Sequence, residues 1–110
     1  MKIVRFEASK PITHFDSHGA MIGGIARCRG QVRLSLVTLD PGGVLGLHEA
    51  ASAQLLLVVQ GAGRVRGAGD ETAEIADGEA AFWETGEAHE TSTEAGLRAV
   101  VAEADSLELI

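Results

Sequence analysis

LGLHEAASAQLLLVVQGAGRV, residues 45 to 65, contains the most apolar run of the chain, with His48 ahead of it, Gln54 at its entrance and Gly61 closing it. The run is rich in Leu and Val and ends in glycine, as a buried strand does. On a regular strand His48, Ala50, Gln54, Leu56 and Val58 share one face, and Glu49, Leu55, Leu57 and Val59 the other. If the first face looks into a barrel, an imidazole and an amide sit inside it. Such a pair is either part of a metal-ligand set or a hydrogen-bonded polar pair, and this segment alone leaves both readings open.

The rest of the chain supports an all-β domain. Fourteen glycines cut it into short pieces with strand character. Candidate strands are 2–6, 20–28, 31–39, 53–60, 62–66, 72–76, 79–84 and 88–93, separated by turn signals at Asp40-Pro41-Gly42-Gly43, Gly67-Ala68-Gly69-Asp70, Asp77-Gly78 and Thr85-Gly86. Many short strands with frequent turns indicate a sandwich, jelly roll or small barrel. In the segment 97–108, Leu97, Val100, Val101, Ala104 and Leu107 follow helical spacing and by periodicity alone favour a helix slightly. GAGRVRGAGD, residues 61–70, is crowded with glycine, but it leads into another turn and not into a helix, so it reads as a hairpin and not as a dinucleotide-binding loop.

At 110 residues the chain has room for one hydrophobic core, so residues 1–110 form a single domain. The formal net charge is −7. Residues 1–69 carry eight Lys/Arg against four Asp/Glu, whereas 70–110 carry twelve acids and only Arg98 as a base. That balance excludes nucleic acid as the expected partner. The lone Cys28 forms no intrachain disulfide, the N-terminal MKIVRFEASK lacks an apolar signal core, and no stretch is long and apolar enough to span a membrane. A cytoplasmic protein without membrane attachment is expected.

Three other sets of residues stand out. His14 and His18 have i,i+4 spacing, but Pro11 and Gly19 leave little room for a helix, so a loop or strand edge is expected there. Glu87, His89, Thr91 and Thr93 alternate with Ala88, Glu90 and Ser92, which would set threonines beside an inward His89. Phe82 and Trp83 are adjacent and must face opposite ways, one of them into the barrel, as core, subunit contact or ligand-stacking surface.

Two spaced sets of these residues resemble the sequence motifs of the cupins. Gly42, His48, Ala50, Gln54 and Gly61 are similar to the first motif, in which a glycine precedes His-x-His, then Glu, then Gly. Gly78, Glu84, Gly86, His89 and Thr93 are similar to the second, in which Pro-x-Gly, His and Asn follow a glycine. Together they span residues 42–93. The resemblance implies a cupin-type antiparallel β-barrel (jelly roll, double-stranded β-helix), commonly dimeric, with a small-molecule site in the barrel mouth. It also implies that 97–104 returns as a strand.

The departures bear on chemistry. Of three histidines and a glutamate expected as metal ligands, the chain keeps His48 and His89, with Ala50 and Gln54 at the other two positions. Glu84 stands in place of Pro and Thr93 in place of Asn. Two imidazoles and a neutral amide hold a hard cation less strongly than a set that includes a carboxylate. Two functions follow as expectations. One is a small-molecule-binding module in which His48, Gln54 and His89, with Trp83 and Thr93 nearby, hold a ligand. The other is a metal-dependent enzyme in which His48, Gln54 and His89 bind Zn, Ni, Fe, Mn or Cu, and Glu84 is the catalytic acid or base. In both, the partners are a small molecule and a second copy of the chain.

Overall fold

The structure is a computed structural model that describes all 110 residues. It contains ten strands and no helix: β1 (Lys2–Arg5), β2 (Lys10–Pro11), β3 (Met21–Ile22), β4 (Ala26–Leu39), β5 (Val44–Glu49), β6 (Ala53–Arg66), β7 (Thr72–Ala76), β8 (Glu79–Trp83), β9 (Ala88–Ser92) and β10 (Leu97–Leu109). All pairings are antiparallel. One wall runs β1-β8-β6-β10-β4, and the opposite wall is built from β5, β9, the second half of β6, and β7.

β6 belongs to both walls. Gln54–Leu57 pair with β8, while Ala62–Arg66 pair with β7 and β9. The change of wall falls at Gly61, where φ is 94° and a Cβ would lie 2.3 Å from the Gly96 carbonyl oxygen. Only glycine fits there. The sequence pattern predicts separate strands at 53–60 and 62–66; the chain instead bends through Gly61 without leaving the ladder.

Three further expectations change in the same way. β4 runs unbroken through Gly30 and begins at Ala26, so the predicted 20–28 strand reduces to Met21–Ile22. His48 lies on β5, a strand missing from the predicted set, and a turn at 50–52 separates it from Gln54 on β6. β10 is a strand, as the resemblance implies, and it extends past 104 to Leu109. It lies between β4 and β6, so its backbone groups are satisfied in ladders on both sides, and this outweighs the helical spacing of its apolar residues. The 61–70 segment forms the β6–β7 hairpin expected.

The apolar residues divide by parity into two layers. Inside the barrel Leu56, Val58, Val65, Ile75, Ala81, Trp83, Leu97, Ala99 and Val101 form one core. Outside the first wall Leu55, Ala80 and Ala102 form a second, packed with Val4, Phe6, Ile25, Phe82, Leu107 and Leu109. The far ends of β4 and β10 supply part of this outer layer. A register shift between Ala104 and Ser106, opposite Gly30 (φ 81°), breaks the regular ladder and lets residues 25–29 and 106–109 lie over Leu55 and Phe82. Burying a leucine on each face of β6 contributes about 1.5–3 kcal/mol per side chain. Phe82 and Trp83 face opposite ways, the first into the outer layer and the second into the barrel.

The outer layer is incomplete. Val32, Leu34 and Leu36 on the free edge strand β4 are exposed, Leu34 by 70%. Residues 10–22 form a separate two-stranded arm whose tip carries Phe15, 94% exposed. Phe15 and Asp16 both have left-handed backbone angles, and the Ser17 amide donates to the His14 carbonyl to close the turn. His14 and His18 lie on this exposed loop, not on a helix.

Candidate functional site at the barrel mouth

At one end of the barrel the apolar core gives way to polar side chains from both walls. β5 and β9 set His48 directly opposite His89 in the ladder. Their ring centroids are 4.2 Å apart at an interplanar angle of 55°. His89 is buried and its other face stacks on Trp83, 4.6 Å away. The Trp83 indole N–H donates to the Arg66 carbonyl, which fixes the indole as the floor of the site. His48 is exposed and covers His89 from the solvent side.

The two imidazoles are tethered alike. His48 Nδ1 lies 2.7 Å from the Gly46 carbonyl oxygen, and His89 Nδ1 lies 3.2 Å from that of Glu87. A carbonyl oxygen only accepts, so each bond requires Nδ1–H, and in a neutral ring this leaves Nε2 with a free lone pair. His89 Nε2 is buried with no partner in the chain, and so is the hydroxyl of Thr91, two residues along β9. A buried polar atom left unpaired costs about 1–3 kcal/mol, so both mark places where the fold leaves a hydrogen bond unmade. His89 is held below the ordinary imidazole pKa, chiefly by burial and further by neighbouring His48, against an opposing pull from Glu87 and Glu103. It is therefore neutral at pH 7.

The first wall completes the mouth. Arg33 on β4, Glu103 on β10, Gln54 on β6 and Trp83 on β8 are successive cross-strand partners. Directly opposed residues point to the same side of a sheet. The parity of Leu56, Val101 and Val37, all of which pack in the barrel, makes that side the inner one. Gln54 is buried and Glu103 half-buried. Glu103 and Arg33 are absent from the reading of the sequence motifs. An acid near the end of a strand looks like solvated surface until the β6–β10 register sets it beside Gln54.

The remaining predicted residues lie elsewhere. Thr93 is buried just past the end of β9, and its hydroxyl donates to the Ala62 carbonyl (2.6 Å) and accepts from the Gly96 amide (3.0 Å). Its one hydroxyl proton is committed to the strand crossing. Glu84 is exposed in the turn after β8, where its amide donates to the Glu87 carboxylate. It borders a depression of about 180 Å3 with Met1, Lys2, Phe82 and Glu87, not with the histidines. Glu87 braces the site from below, accepting from the Met1 ammonium at 2.6 Å while its carbonyl tethers His89. A further concavity, about 460 Å3, is lined by Arg64, Glu74, Ser92 and Glu94 and by none of the mouth residues, and there Arg64 is already paired with Glu74 at 2.6 Å.

A metal centre at this position needs donors that the chain does not gather. A catalytic zinc-type site takes three protein ligands. His48 and His89 provide two, the Ala50 position provides none, and Gln54 is uncharged. No group of three His, Cys, Asp or Glu side chains comes close enough to hold an ion. The residues present do not fit a resident divalent metal.

The comparisons with known proteins agree with this architecture. The cupin domain family matches residues 35–103, and the chain belongs to that family. Among solved structures it is similar to a cupin superfamily protein from Desulfitobacterium hafniense DCB-2, at 13% identity over 96% of this chain and 100% of that one with a TM-score of 0.64. It is also similar to a protein from Neisseria meningitidis, at 26% identity over 72% of this chain and 79% of that one with a TM-score of 0.59. A third likeness is to the DMSP lyase DddQ of Ruegeria pomeroyi DSS-3, at 17% identity over 88% of this chain and 56% of that one with a TM-score of 0.62. No curated protein matches. The jelly-roll barrel is thus shared with a cupin superfamily protein and with a protein named as a lyase.

Proposed function

We propose that this cupin binds a small molecule in its barrel mouth through His48, Gln54 and His89, over the Trp83 floor, without a resident metal. The observation that carries the reading is the buried, unpartnered Nε2 of His89, on a ring whose tautomer is fixed by the Glu87 carbonyl. The exposed His48 ring, 4.2 Å from that of His89, is the neighbour whose rotation we infer would open that lone pair to a ligand. A ligand O–H or N–H that pairs with it recovers the desolvation already incurred in folding. The enzymatic alternative, with a metal on His48, Gln54 and His89 and Glu84 as acid or base, has less support. The ligand set lacks a third strong donor, and Glu84 lies in the turn beyond Trp83.

The working form we propose is a homodimer in the cytoplasm. The chain exposes 6840 Å2. A monomer of 11.4 kDa is expected to expose about 5,800 Å2. The excess of about 1,000 Å2 is close to what one partner buries in a standard interface. Val32, Leu34, Leu36 and the arm carrying Phe15 supply apolar surface for it.

A thermal-shift screen of small polar metabolites, run in parallel with Zn, Ni, Mn, Fe(II) and Cu salts on untagged protein, tests the reading. It predicts a metabolite that raises the Tm, with the rise lost in His89→Ala, and no comparable rise with metals alone. Stoichiometric metal retained through purification would overturn it.

A further inference from the structure

Beyond the histidines, the mouth holds a carboxylate that no motif assigns. Glu103 lies next to Gln54 on the inner row of the first wall, half-buried, with its charge reaching His89. The chain's ion pairs are made by the Met1 amine, Arg5, Arg64 and Arg66, and none involves Glu103. Arg33 is directly across the ladder from Glu103, yet it stays outside ion-pair distance and is exposed at the rim. The inner row of the first wall therefore carries a carboxylate with no ion-pair partner, two strands from the Trp83 that stacks on His89.

These groups share one sign of chemistry. Glu103 accepts hydrogen bonds, and so do His48 Nε2 and His89 Nε2 when the rings, tethered through Nδ1, are neutral. Gln54 can do either. The complement of an acceptor-rich, negatively charged recess is a ligand with several N–H donors and a positive charge. The net charge of −7 favours the approach of such a ligand.

We propose that Glu103 is a ligand-binding residue of this mouth and that the ligand is a small organic amine, its ammonium held by Glu103 and its N–H groups directed at the histidine lone pairs. This rests on the small-molecule reading above and gives that site its substrate class. Arg33 is the nearest cation on the row. It opposes the ammonium, so its removal strengthens binding.

Histidine side-chain NMR titrations with methylamine, ethanolamine and acetate as probes test the proposal, on the wild-type chain, Glu103→Gln and Arg33→Gln. Glu103→Gln keeps the size and shape of the side chain, and its Tm verifies that it folds. The expected result is that both amines, and not acetate, shift the His48 and His89 resonances. Glu103→Gln should weaken the amines at least tenfold and Arg33→Gln should strengthen them several-fold. Acetate acting as well as the amines, or amine affinity unchanged in Glu103→Gln, would overturn the proposal. If neither amine moves the histidines but a neutral or acidic metabolite from the thermal-shift screen does, the amine assignment fails and the small-molecule site stands. If no compound moves them, both fail.

Discussion

His48 and His89 are direct cross-strand partners whose ring centroids lie 4.2 Å apart, one ring exposed and the other buried against Trp83. The pair cannot both be charged at that separation without repulsion, and burial already disfavours the His89 imidazolium. His89 is lowered from 6.5, so the unfolded chain takes up its proton first as the pH falls. Stability is full above about 6.5, declines as the pH drops through that value, and levels off below the lowered pKa of folded His89. Denaturant midpoints between pH 5 and 7.5 should trace this decline, and His89→Gln should flatten it. His48→Ala should raise the His89 pKa, read from its ring proton shift.

Thr91 provides a test of the unmade hydrogen bonds. Its hydroxyl is buried without a partner, on the face of β9 that points at Val65. Thr91→Val keeps the branched shape and removes the unpaired group. The ligand-free protein should gain about 1 kcal/mol in urea unfolding. A loss of similar size would show that the hydroxyl has a partner in solution.

The brace beneath His89 should respond to pH from both ends. The Met1 amine is raised above 8.0, chiefly by its hydrogen bond to Glu87. Burial of the Glu87 carboxyl would raise its pKa. The Met1 ammonium and the Glu84 amide together outweigh that effect and hold the carboxyl below 4.5. The pair's contribution is present between these values. It is lost as the pH rises through the raised amine pKa, and again as it falls through the lowered carboxyl pKa. Glu87→Gln should cost about 1–2 kcal/mol at pH 7 and remove both limbs. Stability curves against pH for the two proteins, superimposed within error, would contradict the account.

The exposed edge strand predicts the assembly. Leu34 stands on the outer face of β4 in line with Ala102, Leu55 and Phe82. Leu34→Glu places a charge on the surface proposed to meet the second copy. It should convert a dimer to a monomer in sedimentation equilibrium while leaving the unfolding free energy of the monomeric fold within about 0.5 kcal/mol of wild type. Wild-type protein that sediments as a monomer at high concentration would refute the dimer.

Much of this was readable in the amino-acid order. The alternation on either side of Leu56, the turn glycines and the two spaced motifs are local signals, and they single out His48, His89 and Gln54 as one set of candidate residues. Continuity through Gly30 and Gly61 was not readable, because a glycine that ends a strand and one that bends it look the same in sequence. Their difference lies in how closely the neighbouring chain approaches. Glu103 and Arg33 were hidden for a related reason: their place in the mouth depends on the register of β10 against β6 and β4, a non-local fact. Thr93 matched a motif position, yet its hydroxyl closes a strand crossing.

The central claim is that tethered imidazoles present free Nε2 lone pairs to a ligand in the mouth. Long-range 1H–15N spectra of the histidine side chains, recorded at pH 7.5 with and without a compound that raises the Tm, test it most directly. The account predicts Nδ1–H tautomers for His48 and His89 and a shift of the Nε2 resonance of His89 on binding. An Nε2–H tautomer at His89, or a bound compound that leaves both Nε2 resonances in place, would contradict it.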